Sequence, residues 1–231
     1  MRTLGLIVLF IVSPVRADSD WDRMSKDFQK LKEPRYSAWL AGSLVAGGLL
    51  KRWDESYDYH VGFGRLDPVA RMFNDFSDPL IMFTFASSFR LYTKLNHVSV
   101  LDSTSSDLLR SIVLANSLVA PLKLIFNRKR PENNGNFSFP SGHAANIAAV
   151  TTVVVRNYSW VYRLGAFAAS GMVFSFRLAD RHHHFSDVVS GAAIGSLAGW
   201  ICSRKEFSSS LHMTFSFDRT SIFNLVWSIS T

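Results

Sequence analysis

FPSGHAANIAAVTTVVV, residues 139–155, is the stretch on which the fold turns. Pro140 and Ser141 stand directly before an apolar run, which marks a helix N-terminus. Comparable apolar stretches recur at Tyr36 to Leu50, Leu80 to Tyr92, Leu108 to Phe126, Trp160 to Leu178 and Phe185 to Cys202. Ala, Gly, Leu and Val dominate them, and short polar links separate them. With Phe139 to Val155 they make six predicted helices, so the expected fold class is all-α, a helical bundle.

Whether that bundle sits in a membrane is open at this level. No run reaches the ~18 charge-free apolar residues of an unambiguous span. Lys123 and Arg163 interrupt two of them, and Asp187 lies near the start of another. Small residues, as in Ser190-Gly191-Ala192-Ala193 and Gly195, let helices approach closely in membranes and in soluble bundles alike. Charges inside such segments mark functional positions if the segments lie in lipid. Integral membrane association is preferred to a soluble periplasmic bundle.

The flanks differ in kind. Met1-Arg2, an apolar stretch from Leu4 to Val12, and small residues at Val15 and Ala17 read as an export signal over residues 1–17, with an uncleaved anchor as the alternative. Residues 18–35 are polar and end near Pro34, as a surface arm or short amphipathic helix. The helical domain is expected over 36–205. In residues 206–231, Met213, Phe215 and Phe217, then Phe223, Leu225, Trp227 and Ile229, alternate with other residues about Asp218-Arg219-Thr220, a β-hairpin pattern.

Bulk properties narrow the function classes. The 231 residues suffice for one domain, and 48% hydrophobic with 19% charged residues argues against disorder. Cys202 is the one cysteine, so no intrachain disulfide forms, and inert burial is its expected state. The net charge of +7 suits nucleic acid, anionic lipid, an anionic substrate or a solvated face, and only the location of the charges can choose.

Three segments carry candidate chemistry. In the first, Lys123 and Arg130 are seven residues apart, about two helical turns, so both would project from one helix face that Pro131 ends. An Arg fork and a Lys point charge suit phosphate oxygens. In the second, Ser141 and Gly142 open a helix whose free N–H groups favour an anion, with His143 at the same mouth as a proton carrier. In the third, Arg177 precedes His183, and Asp187 follows His183 at i+4, where the two would face each other on one helix. A carboxylate on one imidazole nitrogen leaves the other free to attack. Each segment alone has a plain alternative: a solvated helix end, an ordinary cap, a satisfied His-Asp pair. His182, His183 and His184 raise a metal reading, but adjacent helical residues point about 100° apart and cannot converge on one ion. No metal ligands are expected.

In order, Lys123-x6-Arg130-Pro131, Pro140-Ser141-Gly142-His143 and Arg177-x5-His183-x3-Asp187 resemble the signature of the type 2 phosphatidic acid phosphatase (PAP2) superfamily. That superfamily also includes bacterial acid phosphatases and vanadium haloperoxidases. The resemblance spans 123 to 187, and the helical pattern extends it to about 108 to 202. Phe176 departs from the Ser usual before the third-segment Arg, with Ser175 one place earlier. Asn127 stands where many members carry Gly.

The resemblance implies a chloroperoxidase-like bundle and a metal-independent phosphatase acting on a phosphomonoester or diphosphate. Lys123, Arg130, Ser141, Gly142 and Arg177 would bind phosphate, His183 would attack phosphorus, Asp187 would orient it, and His143 would protonate the leaving oxygen. No cofactor is implied, and vanadate would inhibit. The expected partner is a phosphorylated lipid or small phosphoester, with a membrane and without nucleic acid, at the periplasmic face of a bacterial inner membrane or in the periplasm. A soluble broad-specificity acid phosphatase, a vanadium-dependent haloperoxidase and a non-catalytic envelope protein are the alternatives. Neither the oligomeric state nor the substrate can be read from the sequence.

Overall fold

The computed structural model describes residues 18–54, 67–131 and 135–203. Both the candidate export signal and the candidate C-terminal hairpin lie outside the described residues. Eight α-helices are present among them: α1 Asp18–Lys30, α2 Pro34–Leu50, α3 Asp67–Phe76, α4 Pro79–Leu95, α5 Ser99–Phe126, α6 Gly142–Asn157, α7 Trp160–Ala179 and α8 Phe185–Cys202. No strand occurs among the described residues, so the all-α expectation holds. The six expected helices are α2 and α4 to α8; α1 is the short helix that was one of the two readings of residues 18–35, and α3 is additional.

Small residues explain why α6 and α8 form the centre. Gly191 and Gly195, one turn apart on α8, lie against the backbone of Ser141 and Ala145. A Cβ at either glycine would collide with that backbone, so only glycine permits this approach. Around the pair, Leu114, Ala115, Ala149, Leu197, Ala198, Ile201 and Cys202 make one buried cluster with Tyr36 of α2. The lone thiol is therefore core, as its sequence context implied. Polar ties cross the bundle as well: Asn116 of α5 donates to Asn146 of α6 at 2.8 Å, and Asn146 donates to the Ser77 carbonyl at 3.2 Å.

The helices run up and down, and their ends divide into two sets. At one end meet Asp54 beyond α2, the α3–α4 link, the end of α5 and the start of α6. The end of α7 and the start of α8 join them there. At the other end lies α1, docked on α4, α5 and the last turn of α8. Asp20 pairs with Arg90 at 2.9 Å and with Lys94 at 2.8 Å. Asp27 pairs with Arg110 and, at 2.9 Å, with Lys30, whose ammonium also reaches the Ile201 carbonyl at 2.9 Å.

Candidate active site

The predicted phosphate ligands gather at the first of these ends, by a local route that differs from helix periodicity. Helix α5 stops at Phe126, four residues short of Arg130, because Asn127 takes a left-handed conformation at φ 39°. Glycine adopts that conformation freely, and asparagine tolerates it better than most residues. This accounts for the Asn127 substitution, and it corrects two expectations: Pro131 does not end the helix, and Lys123 and Arg130 do not share a helix face. The chain doubles back instead. The Ser138 N–H donates to the Arg128 carbonyl at 2.9 Å, and the Arg130 N–H donates to the Gly135 carbonyl at 3.0 Å. Lys123 donates to the Phe137 carbonyl at 2.7 Å and lies against Gly142.

Helix α6 begins at Gly142 with Ser141 as its N-cap, where the Pro140-Ser141 signal put its start. The Ser141 oxygen accepts from the Ala144 N–H at 3.5 Å, and the Ser141 N–H donates to the Asp187 carbonyl at 3.0 Å. His143 follows in the first turn. Its Nε2 lies 3.9 Å from the carboxylate of Asp78, which caps α4 through the N–H groups of Leu80 and Ile81.

His183 and Asp187 are not on one helix. Arg181 turns left-handed at φ 50° after α7, and α8 starts only at Phe185, so His183 lies in the connecting loop. The turn still brings His183 Nδ1 to 3.8 Å from Asp187 Oδ2. That is beyond hydrogen-bond reach, and Ser138 fills the gap. Its hydroxyl donates to Asp187 Oδ2 at 2.5 Å, so toward His183 Nδ1, 3.4 Å away, its oxygen accepts. The Nδ1–H tautomer follows, with Nε2 as the nitrogen that has no partner among the described residues. His182 turns instead to Asp180, with Nδ1 2.7 Å from the carboxylate, and His184 caps α8. The three adjacent histidines thus face three separate neighbours. Among the described residues no group of three or more His, Cys, Asp or Glu is placed to hold a metal ion.

The electrostatics are one-sided. The charges of Arg130 and Arg177 reach Lys123, and those of Lys123 and Arg177 reach both His143 and His183. Arg177 is buried and donates to Asn74 at 3.3 Å. The Nε atoms of Arg130 and Arg177 are buried without a hydrogen-bond partner among the described residues. Burial is the main influence on the His183 imidazole. Asp187 pulls the other way, Arg177 and Lys123 add to burial, and the result holds His183 at about 4, below the ordinary 6.5. At neutral pH it is a neutral base at the end of a row of cations. The structure thus brings together all eight predicted residues. It adds Ser138, Asn74, Asp78, Arg128 and Asp54, which the sequence reading did not single out as site residues.

An all-α bundle with clustered cations and a neutral histidine at one end is the architecture of an anion site. Residues 105–210 match the family model of the PAP2 superfamily. The match encloses all three motifs. The chain is similar to the Lipid A 1-phosphatase of Porphyromonas gingivalis, 33% identical over 92 residues, which is 38% of this chain and 20% of the relative. It thus spans about a fifth of that relative's length. Among solved structures it is similar to LpxE of Aquifex aeolicus, with 25% identity and a TM-score of 0.43 over 58% of this chain and 92% of that one. It is also similar to a transmembrane PAP2 type phosphatidylglycerolphosphate phosphatase from Bacillus subtilis. There identity is 18% and the TM-score 0.45, over 80% of this chain and 92% of that one.

Proposed function

We propose that the protein is a metal-independent phosphatase that hydrolyses the phosphomonoester or diphosphate of a lipid through a phosphohistidine on His183. The observation that carries this reading is the convergence of Lys123 with Arg130 and Arg177, each arginine with a buried Nε that has no partner among the described residues, at the end that holds a neutral His183. Buried donors normally find acceptors, and phosphate oxygens supply them. Phosphoryl transfer asks mainly for positioning and charge stabilisation, which three cations and the N–H groups opening α6 provide. In this scheme Lys123, Arg130, Arg177, Ser141 and the Gly142 N–H hold the phosphate. His183 Nε2 attacks in line, its Nδ1–H steadied through Ser138 by Asp187. Burial and the charge of Arg177 keep His143 deprotonated in the empty site, so it takes up a proton once the phosphate anion is bound beside it and passes that proton to the leaving oxygen; water then releases phosphate from His183.

A lipid substrate is supported by the surface and by the relative's name. Leu80, Ile81, Phe85 and Leu91 of α4, Val161, Leu164 and Phe167 of α7, and Leu124 and Ile125 of α5 are exposed. So broad an apolar surface suits contact with lipid. Two helices, α5 and α8, are long and apolar enough to cross a membrane by length and composition. A lipid A phosphate is the first candidate to test. Phosphate release from purified protein should be faster with a lipid phosphate than with a soluble phosphoester, and should persist in excess chelator. Complete loss in chelator would refute metal independence, and preference for soluble esters would refute the lipid reading.

The two ends tie the orientation of the site to that of α1. If the bundle spans a membrane, α1 and the site lie on opposite sides. Export of α1 by residues 1–17 and a periplasmic site are then alternatives, and we favour the periplasmic site. Cysteines placed at Lys32 and at Lys129 should react differently with an impermeant maleimide in intact cells, with Lys129→Cys labelled and Lys32→Cys protected. The reverse pattern would put the site in the cytoplasm.

A further inference from the structure

Two members of a buried charge cluster at the site end, Arg128 and Asp54, have no part in the scheme above. Arg128 lies in the return loop after α5, inside the first motif but at one of its variable positions. Its guanidinium bridges two carboxylates. One terminal nitrogen donates to Asp187 Oδ1 at 2.7 Å and to Ser186 Oγ at 2.6 Å, and the other donates to Asp54 Oδ2 at 2.6 Å. Asp54, in the turn beyond α2, also accepts from the Ser186 N–H at 3.0 Å and from its hydroxyl at 2.7 Å. The Asp54 and Asp187 side chains are 2% and 0% exposed. Three separate parts of the chain thus close one hydrogen-bonded ring against the start of α8.

The ring differs from the phosphate ligands in its charge balance. Arg130 and Arg177 each keep a buried donor without an acceptor, whereas Arg128 has both arms committed to carboxylates. It is therefore poorly placed to serve as a fourth phosphate ligand. What it does hold is Asp187. Arg128 fixes Oδ1, which sets the rotation of the carboxylate. Oδ2 then meets Ser138 at 2.5 Å and the His184 N–H at 2.9 Å, on the side facing His183. A lone arginine would cancel the charge of Asp187. The second carboxylate, Asp54, balances Arg128, so the ring keeps a net negative charge toward the imidazole.

We infer that Arg128, anchored by Asp54, is a positioning residue that sets the rotation and charge of Asp187 and through it the tautomer of His183. This inference rests on the reading of His183 as the nucleophile. Neither Arg128 nor Asp54 touches substrate in this account.

The test uses Arg128→Lys, Asp54→Asn and the double variant of the full chain. Lysine keeps the buried charge but cannot bridge two carboxylates with one planar fork. Misplacing a reacting group by about 1 Å can cost on the order of 10²-fold. Each single variant should therefore lose about 10- to 100-fold in kcat, with KM little changed because the phosphate ligands are intact. The double variant should be no worse than the poorer single variant, since both act through Asp187. Histidine 15N spectra, with His183 assigned by its loss in His183→Gln, should show one Nδ1–H tautomer in the parent and a mixture in Arg128→Lys. Unchanged kcat in folded Arg128→Lys, a rise in KM alone, losses that multiply in the double variant, or an unmixed tautomer would each overturn the inference. A parent protein that releases no phosphate from any ester would refute the phosphatase reading instead, and the 15N spectra would still decide this one.

Discussion

The two ends of the bundle both bury arginine, and they surround it differently. At the α1 end, Arg90 meets Asp20 at 2.9 Å and Asp102 at 2.5 Å, and Arg110 meets Asp27 and, at 2.5 Å, Asp107. The Cys202 carbonyl accepts a further bond from Arg110 at 2.7 Å. At the site end, Lys123, Arg130 and Arg177 form no ion pair among the described residues; Arg130 and Arg177 retain buried donors without acceptors, as does Arg156 at the other end, whose guanidinium lies over the Trp200 ring. Cations of the first kind hold elements together. Those of the second kind destabilise the empty fold by mutual repulsion and are explained by an anionic ligand. Within the site end the contrast repeats on a smaller scale, between doubly bridged Arg128 and its neighbour Arg130.

The largest effect that could break this contrast is on stability. Arg110→Ala leaves Asp27 and Asp107 buried near a lost cation, and removing one partner of a buried pair costs about 3–5 kcal/mol. Thermal or denaturant unfolding should show that loss, while kcat of the folded fraction stays near the parent value. A large fall in kcat with unchanged stability would erase the distinction between the ends. Arg177→Gln should do the opposite. Losing charge-assisted bonds to phosphate removes about 1.5–3 kcal/mol of transition-state binding, roughly 10- to 100-fold in kcat/KM. Its stability should not fall in proportion, because a like charge has left a crowded end. If Arg177→Gln instead unfolds the protein and spares kcat/KM, the cation is structural.

A smaller effect sharpens the site end alone. His183 must be neutral to attack, and burial with Arg177 and Lys123 holds it at about 4. Protonation therefore removes the reactive form only as pH falls through about 4, and the acid limb of kcat/KM should lie there. Removing Arg177 takes away a positive charge, so the limb should move to higher pH in Arg177→Gln. A limb that stays in place would mean that Arg177 does not act on His183. Smallest is Gly195→Ala, where a Cβ meets the Ala145 backbone. Overpacking of this kind costs about 1–3 kcal/mol, and melting should detect it with the site chemistry intact.

Much of this arrangement was legible in the sequence because the three motifs fall within one stretch of 65 residues, from Lys123 to Asp187. Apolar patterning located α2 and α4 to α8, and the small residues of α8 pointed to its close packing. Helix periodicity misled at two places. Lys123 and Arg130, like His183 and Asp187, converge through loops, since left-handed Asn127 and Arg181 end α5 and α7 early. Asp54 left no trace that a sequence reading could use. It stands 74 residues from Arg128, outside every motif, and only the tertiary fold joins them. Ser138 and Arg128 sat beside or within recognised motifs, yet local spacing gives no sign that both converge on Asp187. Asn74 comes from the last turn of α3 and Asp78 from the α3–α4 link, and their placement depends on the packing of helices and not on any pattern of their own.

The central claim is that His183 becomes covalently phosphorylated at the cation-lined end. Rapid acid-free quenching of the enzyme with a 32P-labelled lipid phosphate, followed by peptide mapping, tests it most directly. The account predicts an acid-labile, base-stable label on His183 that is absent from His183→Ala, together with a loss of turnover of about 10³-fold or more in that variant. A label on His143, or full turnover in His183→Ala, would contradict it.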